Sequence, residues 1–152
     1  MSSAHHAHAN EAPDWLNAIL DPELRREVRN DVLASDFTGV IRTSFVLLER
    51  RIRESAGLEE HQYGKDLIDR AFQPDKGILQ PVSPDGGERA GLHNLLLGIF
   101  LYYRNPIAHR PVYHTPESAL QVLSLIDHAL RLVGEAVERS FHLERVAEQL
   151  GL

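Results

Sequence analysis

The chain contains no cysteine, which excludes disulfide bonds and metal sites built from thiolates. A protein without cysteine is most easily placed in a reducing compartment, so the sequence predicts a cytoplasmic location. No apolar run approaches the roughly 20 residues that a membrane-spanning helix needs. Residues 1–9 lack an apolar core, so we do not expect them to act as a secretory signal.

An excess of positive charge is also missing, since the formal net charge is −6. A protein that coats nucleic acid through a broad basic surface would carry net positive charge. A small basic pocket is still compatible with this value, because a site is a local feature and net charge is a global one. The 152 residues, 43% apolar and 25% charged, fit one globular domain with its own core.

Strand-like alternation of apolar and polar residues is missing, and apolar residues recur instead at helical spacing. The sequence therefore predicts an all-α helical bundle of about four core helices, with peripheral helices at the N- and C-terminal ends. We expect a disordered tail over residues 1–12, peripheral N-terminal helices over 13–34 and the helical domain over 35–152. The first predicted helix of that domain is capped by Ser35 or Asp36 and runs to about residue 56. The others span residues 64–73, 88–104, 115–140 and 142–150.

Capping chemistry marks several of these helix ends. The predicted N-terminal signals are Asp21 before Pro22, Ser35 or Asp36, and Thr115 before Pro116, and the predicted C-terminal signal is Gly57.

The predicted helix over residues 88–104 has almost no polar face after its first turns. A helix that is apolar all round is buried on all sides, either by its own domain or by a partner subunit. Gly91 and Gly98 share one face of it. Because glycine weakens a helix interior, we expect another segment to approach closely there.

Arg104 and His109 stand five positions apart after this apolar helix, with Asn105 and Pro106 between them. Proline lacks an N–H and its ring clashes with the carbonyl four residues earlier, so the sequence predicts that the helix ends near Arg104. Asn105 then caps a new turn, with Pro106 at its first position. Such a break would bring the guanidinium and the imidazole to one site. These groups suit phosphate binding and proton transfer, respectively.

Charged residues on the predicted helix before Gly57 form a second candidate group. Glu49 and Arg53 stand four positions apart, so we expect them to pair on their own helix. Arg42 lies on the same flank, and Arg51 lies nearer the apolar face. Two interpretations stay open: all four are solvated charges with partly buried stems, or one of them lines a polar cleft.

An arginine followed by a polar residue, with histidine five positions on, resembles the motif of the HEPN superfamily of small all-α domains, many of which are metal-independent ribonucleases. The surrounding sequence is similar to the Ymh-type branch of that superfamily. The similarity runs from segment 47–53 through Gly64 and the pair Ala71 and Phe72 to segment 104–109. It covers roughly residues 36–133 and implies a HEPN-like helical bundle.

The resemblance implies an endoribonuclease without metal or other cofactor, in which the 2′-hydroxyl of RNA attacks the adjacent phosphate. His109 would act as general base or acid, Arg104 would hold the phosphate and its developing charge, and Asn105 would orient the backbone or contact phosphate. Glu49, Arg53 and Tyr103 are supporting candidates for the same cleft.

The resemblance also implies a homodimer with a composite active site, because one motif supplies only part of the acid and base chemistry. A two-fold axis beside the apolar helix would bury its surplus apolar surface. The implied substrate is RNA, and the implied role is that of a toxin or phage-defence effector. An antitoxin or a neighbouring effector protein is a possible further partner, and no membrane contact is expected.

Three alternatives stay open at the level of sequence. Arg104, Asn105 and His109 can simply be a helix end, a cap and a loop residue. The domain can be a catalytically silent HEPN-like dimer that binds RNA, a nucleotide or a partner protein. It can also be a helical adaptor without a nucleic-acid role, which suits the acidic composition best.

Overall fold

A computed structural model describes residues 11–83, 85–139 and 147–151. Its architecture is mostly helical, as the sequence predicts. The elements in chain order are a 3₁₀ turn Asp14–Ala18, α1 Pro22–Leu33, α2 Phe37–Ala56, α3 Gly64–Phe72, β1 Leu79–Gln80, α4 Gly86–Ile99, a π-helical turn Phe100–Arg104, α5 Asn105–His109, α6 Pro116–Glu135 and β2 Val137–Glu138. Residues 1–10 of the predicted tail over 1–12, and most of the predicted last helix over 142–150, lie outside the described residues.

Predicted caps are found at four helix ends, three N-terminal and one C-terminal. The Asp21 carboxylate accepts from the N–H groups of Glu23 and Leu24, at 3.0 and 2.9 Å. Asp36, and not Ser35, is the N-cap of α2. Thr115 caps α6 through the N–H of Ser118. Gly57 ends α2 with a φ of 63°, in the left-handed region that glycine enters without steric cost.

The core forms around α2, which packs against α6, α1 and α3. The apolar stripe predicted for α6 faces α2 and is buried from Ala119 to Val133. Phe45 of α2 meets Phe100 edge-to-face, with ring centroids 5.3 Å apart. Among the described residues no helix combines the length and the apolarity needed to cross a bilayer.

Helix α1 is joined to α2 by ion pairs as well as by apolar contacts. Leu24, Val28 and Val32 are buried. Arg50 lies 2.9 Å from Glu23 and 2.7 Å from Glu27. The hydrogen bond from Arg51 lowers the pKa of the Glu23 carboxyl. These contacts hold the N-terminal segment against the bundle.

Helix α6 ends at Glu135, so the predicted extension to residue 140 is wrong. Ala136 is extended, and Val137–Glu138 pairs antiparallel with Leu79–Gln80. The Arg139 guanidinium donates to the carbonyls of Gln73, Pro74 and Gly77. Pairing with a distant loop therefore replaces the last helical turns that the local apolar pattern predicts.

Candidate active site

The helix that carries Arg104 and His109 does not break between them. Arg104 and Asn105 both have helical dihedral angles, so the predicted helix end at Arg104 and the predicted cap at Asn105 are wrong. Instead, the N–H of Asn105 bonds to the carbonyl of Phe100, five residues earlier, and the chain forms a π turn. The wider turn accommodates Pro106, whose ring would clash with the Tyr102 carbonyl in a regular α-helix.

Arg104 lies where this π turn meets α2 and α3. Its Nε is 3.4 Å from Oε1 of Glu49, and the Glu49 side chain is only 10% exposed. The same oxygen accepts a hydrogen bond from the N–H of Gly64, at 3.0 Å. The ring of Tyr63 lies below the guanidinium, 5.7 Å from its Cζ to the ring centroid. Glu49 of α2 and Tyr63, the residue before α3, thus both contact this arginine.

Arg53 does not pair with Glu49, so the predicted pair within α2 is wrong. Its Nη1 donates to the carbonyl of Gln62, at 3.0 Å. Glu49 is taken by Arg104 and Gly64 instead. Two supporting candidates, Glu49 and Arg53, therefore hold the π turn and the loop before α3 against α2.

Two adjoining clefts run from Arg104 toward the start of α6, and we call them together the arginine groove. The first has a volume of about 170 Å³ and is lined by Arg42, Phe45, Val46, Glu49, Arg104, Ile107 and Ala108. The second, of about 360 Å³, is lined by residues 35–38, Arg42, Ile107 and residues 110–114. Arg42 and Ile107 line both clefts and form their common border.

His109 is the last residue of α5 and is exposed. It lines neither cleft of the groove, and among the described residues no hydrogen bond or ion pair joins it to Arg104. Its ring is accessible to a ligand or to a second chain. Tyr103 is half-buried against the core and meets Tyr102 edge-to-face, with centroids 4.8 Å apart. The structure thus brings Arg104 and Glu49 together and leaves His109 apart from them.

The segment after His109 adds groove residues that the sequence patterns do not single out: Arg110, Tyr113 and His114. The Thr38 hydroxyl donates to the Val112 carbonyl at 2.6 Å and holds this segment against α2. Burial lowers the pKa of the His114 imidazole, so this ring is neutral at neutral pH. The helix start at Thr115 marks where this segment ends. The hydrogen bond between Thr38 and Val112 joins residues 74 positions apart, so no local pattern predicts that the segment lies against α2.

One face of the helix before the motif is apolar and open. Leu95, Leu101 and Tyr102 are 40%, 45% and 72% exposed. Among the described residues, no atom outside the adjoining helix backbone lies within 4 Å of the position that a β-carbon would take at Gly91 or Gly98. The described part of the chain therefore supplies neither the full burial nor the close approach that the sequence predicts for this helix.

Comparisons with known proteins give one family and no individual relative. No curated protein and no solved structure matches the chain. A family model described as "Protein of unknown function (Hypoth_ymh)" matches residues 18–133. The match begins earlier than the resemblance to segment 36–133 and includes α1, which agrees with the packing of that helix. The chain belongs to the Hypoth_ymh family.

Proposed function

We propose that the protein is a metal-independent endoribonuclease of HEPN type that acts as a toxin or phage-defence effector. One observation carries the proposal: Arg104 is anchored at a cleft wall by a buried carboxylate, and the same continuous helix ends at an accessible histidine. The resemblance of segment 104–109 to the HEPN motif supplies the reaction type.

The proposed reaction needs a base, an acid and a group that holds the phosphate. His109 takes the proton of the 2′-hydroxyl, whose oxygen attacks the adjacent phosphorus. The bond to the 5′-oxygen breaks, leaving a 2′,3′-cyclic phosphate and a 5′-hydroxyl that receives a proton from an acid. Arg104 stabilises the charge that develops on the phosphate oxygens. Guanidinium has five N–H donors, so the contact with Glu49 leaves donors for phosphate. Asn105 contacts the phosphate or orients the backbone.

The direct test of this function uses purified wild-type protein and RNA in EDTA. We expect cleavage without added metal and products that end in cyclic phosphate, identified by mass spectrometry. An RNA with 2′-deoxy substitution at the cut position should stay intact at that position, because the nucleophile is missing. Failure to cut any RNA, or cutting of the deoxy-substituted position, would remove the proposal.

A homodimer completes the proposed site. One protomer carries one histidine of the motif, and the chemistry needs both a base and an acid. The open face with Leu95, Leu101 and Tyr102 lies on the helix that leads into the motif. An isologous contact through this face would bury these side chains and bring two copies of segment 104–109 to one cleft. An antitoxin or a neighbouring effector protein is the further partner that we propose.

Replacing Leu101 with aspartate is expected to convert a dimer into a monomer, because the contact would have to desolvate a carboxylate beside apolar groups. Light scattering after gel filtration measures the mass, and wild type should appear at twice the chain mass. The matched control is Leu20→Asp, at an apolar residue before α1 that is 77% exposed. A monomeric wild type, or a Leu101→Asp variant that stays dimeric, contradicts the proposed interface.

A catalytically silent dimer that binds RNA, a nucleotide or a protein is the second candidate. The exposed position of His109, without a bond to Arg104, is the observation that favours it. RNA binding that survives His109→Ala, weakens in Arg104→Ala and is never accompanied by cleavage would select this function.

A further inference from the structure

The arginine groove extends well beyond the motif. It runs from Arg104 past Arg42 to the segment with Arg110 and Tyr113. Its two clefts share Arg42 and Ile107 as a common border, so an extended ligand that crosses these two side chains would contact both clefts.

The charges along the groove favour an anion. Arg42, Arg104 and Arg110 line it, and neither Arg42 nor Arg110 forms an ion pair within the described residues. The two carboxylates present, Glu49 and Asp36, are engaged by backbone N–H groups of Gly64 and Gly39. His114 adds no charge at neutral pH, because its burial favours the neutral ring. The groove therefore carries an excess of cations on a chain whose net charge is −6.

Tyr113 offers a flat surface at the far end of this groove. Its side chain is 94% exposed, so its ring contributes nothing to the core. The backbone beside it is fixed, because the Val112 carbonyl accepts a hydrogen bond from Thr38 of α2. An exposed aromatic ring on an anchored segment beside cations is the combination that stacks an unpaired base while arginines hold the backbone.

We infer that the arginine groove binds single-stranded RNA next to the cleaved bond, with Arg42 and Arg110 on phosphates and Tyr113 stacked on a base. This inference rests on the proposed function and names the binding residues of the same site. A duplex does not suit the groove, because paired bases present no free face to Tyr113.

The test measures binding of a short fluorescent RNA by anisotropy, with His109→Ala protein so that the RNA stays intact. In this background Tyr113→Ala is expected to weaken binding about tenfold, whereas Tyr113→Phe keeps the stacking face and the affinity. Arg42→Gln and Arg110→Gln should each lower the slope of log affinity against log salt by about 0.7. Arg70→Gln, at an exposed surface ion pair with Asp66, should leave affinity and slope unchanged.

Three results would overturn the inference: no binding of any single strand, equal binding of single strand and duplex, or unchanged affinity in Tyr113→Ala and Arg110→Gln. The three groove side chains and the control Arg70 are exposed and do not pack in the core. Melting curves that match that of the His109→Ala protein will show that each variant is folded. Binding that depends on Tyr113 in a protein that never cuts RNA removes the ribonuclease proposal and keeps the groove. If the protein cuts RNA and these substitutions leave its RNA affinity unchanged, the ribonuclease proposal stands and only the inference about the groove is wrong.

Discussion

Replacing His109 with alanine is expected to slow RNA cleavage by about 100- to 10,000-fold, the usual contribution of general acid or base catalysis. Imidazole is the side chain that exchanges protons near neutral pH without a large shift of its pKa. Arg104→Ala is expected to cost about 100- to 1,000-fold, because the phosphate loses a positioned charge in the transition state. Both rates are measured under single-turnover conditions with saturating protein.

Residues of the same type elsewhere in the fold provide the controls. His128→Ala and Arg131→Ala alter exposed side chains of α6, away from the groove, and should cut RNA at the wild-type rate. Arg104→Lys keeps the charge but loses the planar fork, so an intermediate rate is expected. A His109→Ala protein as active as His128→Ala would rule out the histidine as the proton-transfer group.

The starts of α1, α2 and α6 are predictable because their causes are local. A capping carboxylate or hydroxyl and the N–H that it accepts from lie within three residues of each other, as at Asp21 and Thr115. The π turn is less predictable. Pro106 indicates that a regular α-helix cannot continue, but a helix end and a wider turn both relieve its clash with the Tyr102 carbonyl. Phe100, the first residue of the π turn, is buried and packs against Phe45 of α2, a contact that the local sequence does not indicate.

The candidate site also depends on contacts between residues that are distant in sequence, which local patterns do not predict. Arg104 and Glu49 are recognisable separately, as a motif arginine and a helix-flank carboxylate. Their contact joins residues 55 positions apart, so the local i to i+4 rule assigns Glu49 to Arg53 instead. Tyr113 belongs to no local motif that would identify it as a binding residue, and its side chain is exposed. It becomes a candidate once the contact between Thr38 and Val112 places it beside the arginines.

Replacing Glu49 with alanine is expected to lower the free energy of unfolding by about 3 kcal/mol, and the Tm by about 6 to 12 °C. The substitution leaves Arg104, whose side chain is only 25% exposed, without its carboxylate partner. It also leaves the N–H of Gly64 without its acceptor. Glu54→Ala, at an exposed position of the same helix, should change stability by less than about 0.5 kcal/mol. Chemical denaturation gives both values.

Glu49→Gln separates the two roles of this carboxylate, because the amide oxygen still accepts from Gly64 while the charge opposite Arg104 is gone. We expect a smaller loss of stability, about 1 kcal/mol, and a cleavage rate at least about tenfold below wild type. In an Arg104→Met background the cost of Glu49→Gln should fall, since no buried cation then lacks a partner. Equal costs in both backgrounds would mean that Glu49 supports the fold through Gly64 alone. Arg104 would then be held by the π turn and Tyr63, and Glu49 would have no role in positioning Arg104 for catalysis.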